Sequence, residues 1–134
     1  MSFAEDVIGV LPFLRTQAES LMIDECTITR PGEPVTDPET GDVTNSPIEV
    51  YAGKCKVQSK DSSVATPDAA GAAFVIVSRQ VHIPANAADV QDDDVVTITA
   101  SRLNAFTVGK QYRVEGFTPD SFDTAARLPV KENL

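Results

Sequence analysis

The chain contains no tryptophan, one histidine and only two cysteines among its 134 residues. Each scarcity removes a class of chemistry. With His82 alone, a histidine-based metal set or a nucleophile–histidine pair must draw every other member from elsewhere. Cys26 and Cys55 lack a C-x-x-C spacing, so they outline neither a zinc framework nor a thioredoxin-type site. No G-x-S-x-G elbow, phosphate-cradling G-x-x-x-x-G-K-[ST] loop or G-x-G-x-x-G turn occurs. Aromatic residues make up 6% of the chain, too few for an extended base-stacking platform. Basic residues are also sparse: 11 Lys and Arg face 20 Asp and Glu, a net charge of −9. That balance argues against a general basic surface for nucleic acid, and Lys54 and Lys56 are the one tight basic pair. No apolar run reaches the 18 or so residues of a transmembrane helix. Glu5 and Asp6 stand where a secretory leader carries basic residues. The expectation is a protein kept in the cytosol unless it leaves within a particle.

What is present fits one domain, 1–134, with 42% hydrophobic residues and a core that needs no staples. The segment 1–23 reads as helix. Ser2-Phe3-Ala4-Glu5 has capping-box spacing, and Phe3, Val7, Leu11, Leu14, Ala18 and Leu21 recur every three or four residues as one stripe. Pro12 interrupts this pattern, predicting a kink or a restart there. Phe13, Leu14, Ala18, Leu21 and Met22 need a surface to pack against.

After Met22 the period becomes two. "DECTITR" alternates Cys26 and Ile28 against threonines. A turn-rich loop, 31–47, follows, with Thr40-Gly41-Asp42 as a hairpin tip. "IEVYAGKCKVQ" reads as a strand with Ile48, Val50 and Ala52 on one face and a bulge at Gly53. The stretch 59–73, "SKDSSVATPDAAGAA", has no period and reads as a flexible loop. "FVIVSRQVHIP" is the clearest strand. "VVTITA" follows the acidic stretch, and "FTVGKQYRVEGF" reads as a hairpin turning at Gly109-Lys110. "DTAARLPVKE" closes the chain, its Pro129 expected on a sheet edge. The fold class is mainly β: a small antiparallel barrel or sandwich over 24–131, with one N-terminal helix and long loops.

"DVQDDDVVTIT" concentrates Asp89, Asp92, Asp93 and Asp94. A calcium loop needs a bidentate Glu at its twelfth position, and counting from Asp89, Asp92 or Asp94 gives Ala100, Leu103 or Ala105. Counting from Asp37 gives Ile48. The reading is a turn into "VVTIT", since aspartate bonds its own backbone and tolerates turn geometry. A looser carboxylate site for a hard cation, or a hydrolase built on these carboxylates, remains an alternative. His82 reads as a half-exposed strand histidine. Pairing Arg30 with Tyr51 would set Cys26 opposite Cys55, both as small buried hydrophobes in the reduced state.

The order of these segments resembles a known family. "AESLMIDECTITRPG", "YAGKCKVQ", "VHIPANAADVQDDDVVTITA", "FTVGKQYRVEG" and "DTAARLPVKE", in that order, are similar to the head-to-tail stoppers of long-tailed phages infecting actinobacteria. The similarity extends from about Arg15 to Glu132. It implies a virion protein of the head–tail connector, or neck, assembled in the host cytoplasm. Such a subunit forms a homo-oligomeric ring, here of six or twelve copies, between portal or adaptor above and tail terminator or tail tube below. The ring retains packaged DNA without reading its sequence, docks the tail, touches no membrane, and has no catalytic residues, metal or cofactor. On this reading Phe13, Leu14, Leu21 and Met22 form an interface. Lys60, Asp61, Ser62, Ser63 and Asp68 belong to a loop acting in the channel. A small barrel that binds a ligand or nucleic acid, or another head–tail joining component, is the alternative.

Overall fold

The computed structural model describes residues 2–64 and 74–132. One helix, α1 (Phe3–Ser20), precedes eight strands: β1 (Asp24–Arg30), β2 (Pro34–Thr36), β3 (Val43–Asn45), β4 (Ile48–Val64), β5 (Phe74–Pro84), β6 (Val95–Ser101), β7 (Gln111–Val114) and β8 (Ala125–Glu132). Six of them close an antiparallel barrel in the order β1-β4-β5-β8-β7-β6, with β6 bonded back to β1. The period-two residues fill it. Cys26, Ile28, Cys55, Val81, Ile83, Val96, Ile98, Val114 and Leu128 are buried in one core with Tyr112. Burying an aliphatic side chain of this size stabilises the fold by about 1.5–3 kcal/mol.

The helix starts on the expected capping box. Ser2 Oγ accepts from the Glu5 amide at 3.3 Å, and Glu5 Oε2 accepts from the Ser2 amide at 3.3 Å. It then runs through Pro12 without a restart. Proline leaves the Ile8 carbonyl without its usual donor. The Pro12 carbonyl is engaged instead by the Thr16 hydroxyl at 2.9 Å as well as by the helix ladder.

Several boundaries differ from the sequence reading, each for a non-local reason. The β1–β4 register sets Cys26 opposite Gly53 and Cys55 opposite Asp24, two residues away from the expected Cys–Cys pair. The offset holds from Asp24 to Ile28, and a bulge then moves the register by one more residue: Ile28 pairs with Tyr51 and Thr29 with Glu49, leaving Val50 unpaired. A bulge inverts the alternation beyond it. Val50 and Tyr51 therefore both reach the core, while Ile48 and Ala52 are exposed. Gly53 is no bulge. It makes room for the Tyr51 ring, whose hydroxyl would lie 2.8 Å from any Cβ there and donates to the Lys54 carbonyl at 2.7 Å.

The expected loop 59–73 begins as strand, because Ser59 to Val64 pair with Arg79 to Phe74. The β-prone "FVIV" supplies the partner that "SKDSSV" does not predict alone. "FTVGKQYRV" is not one hairpin. Ala105–Thr107 form a 3-10 turn capped by Asn104, and β7 pairs with β6. Pro129 lies in a strand with neighbours on both sides. Its carbonyl accepts from the Glu115 amide at 2.9 Å. Since N and C=O of one strand residue face the same side, its missing N–H falls just past the end of β7.

The aspartate run is the turn expected, divided among three roles. Asp93 has φ +70°, and Asp92 Oδ1 accepts from the Gly116 amide at 2.9 Å. Asp94 is buried and takes a forked grip from Arg30, at 3.0 and 3.1 Å. It also accepts from the Gln91 amide at 2.9 Å. Asp93→Gly should leave stability within about 0.5 kcal/mol of the parent, and Asp93→Val should cost about 1–2 kcal/mol, since a branched side chain resists positive φ. In urea unfolding, Asp94→Asn should lower the midpoint clearly more than Asp92→Asn does.

Candidate interaction surface

At 100° per residue, α1 has two apolar faces. Val7, Leu11, Arg15, Ala18 and, after the helix, Met22 follow one line, and all are partly or fully buried. This side meets the outer wall at β5 and β8. Arg15 Nε donates to the Asp123 carbonyl at 3.1 Å, and Glu19 pairs with Lys54 on β4 at 3.0 Å. A second line, rotated by roughly 80°, carries Phe3, Val10, Leu14 and Leu21. Phe13 lies at its margin. These residues are exposed, Phe3 by 84% and Phe13 by 64%.

The single stripe expected from the sequence is thus split between a face spent on the barrel and a face left open. Of the expected interface residues, Phe13, Leu14 and Leu21 are on the open side. Met22 is corrected: it is buried at 6% exposure and seats the helix end on its own barrel. An exposed apolar group of this kind marks contact surfaces more often than chance placement does.

Lys60, Asp61, Ser62 and Ser63, read as channel-loop residues, lie instead within the β4 backbone, opposite Ser78 to Val75. Asp68 falls outside the described residues. β1 pairing on β4 ends at Cys55, and β8 pairing on β5 ends at Arg79. Beyond the Ser59–Arg79 pair the two strands have, among the described residues, only each other, forming a ribbon that leaves the barrel. A second projection carries the hairpin tip expected at Thr40-Gly41-Asp42, with Gly41 at φ +74°, though the sequence reading left its flanks as loop. β2 and β3 pair with each other as a separate two-stranded sheet, and residues 33–49 are all exposed. Its signals were faint: Val35 and Val43 are isolated apolar residues in a turn-rich stretch.

The groups weighed for chemistry are engaged structurally. Arg30 Nη2 also donates to the Asp89 carbonyl at 2.9 Å, and its interaction with Asp94 raises its pKa above the usual value. Among the described residues, no three His, Cys, Asp or Glu side chains converge as metal ligands. His82 is buried at 7% exposure rather than half-exposed. Its Nε2 lies 3.2 Å from Gln80 Oε1. Burial, reinforced by Lys56 and Arg127 on the flanking strands, lowers its pKa to about 4. Cys26 and Cys55 are free and buried. They sit diagonally on neighbouring strands, and the hydrogen bond that the Cys55 thiol donates to Cys26, together with burial, pushes its pKa up. A thiol held protonated and enclosed is a poor nucleophile. Tyr51, beside both, is raised to about 12 mainly by burial.

A family model, described as a family of unknown function (DUF6093), matches residues 14–131, and the chain belongs to that family. No curated protein and no solved structure matches.

Two measurements check these environments. In the native protein at pH 8, a colorimetric thiol reagent should label Cys26 and Cys55 only on the timescale of unfolding, and both promptly in urea. The His82 linkage has a fixed sign. Its folded pKa lies below the unfolded value of about 6.5, so the unfolded state binds the proton first. Stability should be complete above about pH 6.5 and fall as pH drops toward 4. His82→Gln should flatten that part of the pH–stability curve.

Proposed function

We propose that the chain is a structural subunit of a tailed-phage particle, a head-to-tail stopper. In this reading it forms a ring of six or twelve copies between portal or adaptor and tail, retains the packaged DNA and docks the tail. The observation that carries the reading is the second apolar face of α1, on Phe3, Val10, Leu14 and Leu21, which the barrel leaves exposed. A small closed barrel has no interior left to receive a helix, so that face stays open for a neighbouring subunit. The similarity of segment order to phage stoppers points the same way. The net charge of −9 also fits a channel wall along which DNA passes without adhering. The reading assigns the chain no catalytic step. Its work is geometric: to close, to hold and to be docked upon. Retention of DNA would fall to the β4–β5 ribbon, the element that leaves the barrel wall.

The test uses particles made by a phage encoding this chain. Replacing Leu14 and Leu21 by Asp should give filled heads that lack tails or leak DNA, and the variant chain should be missing from purified necks. The exposure of both side chains predicts that the purified variant itself still folds, with an unchanged far-ultraviolet spectrum. Normal particle yield from a folded variant would overturn the assignment.

A further inference from the structure

We propose that the β2–β3 hairpin is an arm that docks into a groove at the far end of the barrel of a second copy of this chain. The inference rests on the ring reading only in requiring that copies associate, and it adds which surfaces meet.

The arm is built as an unfinished structure. An isolated two-stranded hairpin is marginal in water and gains stability from an apolar partner. Here Val35 is exposed by 61% and Val43 by 63%. The register sets Val35 beside Thr44 and Val43 beside Thr36, so one valine stands on each face. The arm is also acidic throughout. Glu33, Asp37, Glu39 and Asp42 lie on it, and no Lys or Arg occurs from Pro31 to Gly53. Asp37 stays ionised easily, because the Glu39 amide donates to it at 2.8 Å and lowers its pKa.

The complementary surface lies at the other end. A groove of about 350 Å³ is lined by Leu21 and Ile23 after α1, Leu103 after β6, and Lys56 and Arg79 at the root of the ribbon. Leu103 is exposed by 81% and Leu21 by 59%. Lys56 and Arg79 have no carboxylate partner among the described residues. Asp24, also in the groove, accepts from the Ser101 hydroxyl at 2.8 Å and keeps its charge, so Lys56 and Arg79 outweigh it by one. The groove therefore offers apolar contact together with a net positive charge, on a chain that is otherwise strongly acidic. The arm offers the opposite pair of properties.

Position decides that the occupant is another copy. The arm leaves the barrel between Arg30 and Ile48, where β1 ends. The groove lies beside Asp24, where β1 begins. The strand between them has seven residues, or about 20 Å at roughly 3.4 Å each. A chain's arm and groove thus sit at opposite ends of its own barrel. Joining unlike surfaces of successive copies gives a heterologous contact, which closes into a ring when the rotation between copies permits.

The test is a disulfide between Asp42→Cys on the arm and Leu103→Cys in the groove of the full-length chain, under a mild thiol oxidant. Both positions are exposed, and the native cysteines are buried. The double variant should give a ladder of covalent dimers, trimers and higher species on a denaturing gel, and neither single variant should give one beyond dimer. In sedimentation, Arg79→Glu should weaken self-association about tenfold, and adding Asp42→Lys should recover it. Oligomers that form without the ladder and ignore both charge reversals overturn the arm contact and leave the ring reading standing. A parent chain that remains monomeric at its highest soluble concentration, with no ladder from the double variant, also overturns the arm contact. The ring reading is then judged on particles by the Leu14 and Leu21 variant.

Discussion

Closure of the barrel through β1 governs the rest of the molecule. β1 bonds to β4 on one side and to β6 on the other, so within the barrel wall none of the six strands is left as a sheet edge. The enclosed space is filled by the inward side chains, from Ile28 to Leu128. Two consequences follow. The barrel wall cannot recruit a partner by adding a strand, because full closure removes the open edges that strand addition requires. The helix, too, has only the outer wall to lie on, where Lys56, His82 and Arg127 form a row across β4, β5 and β8. A polar wall covers one side of α1 and no more. The apolar surplus of the chain is thereby displaced to what projects from the barrel: the open side of α1, the β2–β3 arm and the exposed turn around Leu103 and Phe106.

The ion pair between Arg30 and Asp94 shows why the three adjacent aspartates resist a reading as one cluster. Asp92 faces the turn at Gly116, Asp93 supplies a positive φ, and Asp94 points to the barrel end. Arg30 shares the inward parity of Cys26 and Ile28, which would leave a cation over the core unless a carboxylate met it. Fixing both is worthwhile only because Asp94 also accepts the Gln91 amide and Arg30 also reaches the Asp89 carbonyl. Fully paired, the charges tie the start of β6 to the end of β1 and so hold the closing seam. Burial of such a pair adds little net stability, but loss of either partner strands the other.

Much of the fold was legible because its signals are local. The capping box at Ser2 and Glu5, the alternation of Cys26 and Ile28, of Val96 and Ile98, and of Leu128 and Val130, and the glycine at the tip of the arm all survive in the structure. What could not be read depends on partners distant in sequence. The bulge at Val50 reverses a strand face for a reason that lies in β1. Pro129 looked like an edge residue until β7 was seen to stop beside it. The strand from Ser59 to Val64 exists through its pairing with β5. The open apolar face of α1 was half legible. Phe13, Leu14 and Leu21 were separated from Met22 only by knowing which side of α1 the barrel occupies, since periodicity marks an apolar face but not what covers it.

The two ends of the barrel are chemically unequal, and that inequality has a sequence origin. At the Arg30 end, Arg30 is paired with Asp94, and the connecting segments 31–47, 85–94 and 115–124 carry no Lys or Arg. At the Asp24 end, Asp24 accepts from Ser101, and Lys56 and Arg79 have no carboxylate partner among the described residues. A chain with equal ends would favour two-fold pairing of like surfaces, whereas unequal ends favour repeated joining of unlike ones. In the proposed assembly, direction would follow from Arg30 having a buried carboxylate partner while Arg79, at the opposite end of the core, has none among the described residues.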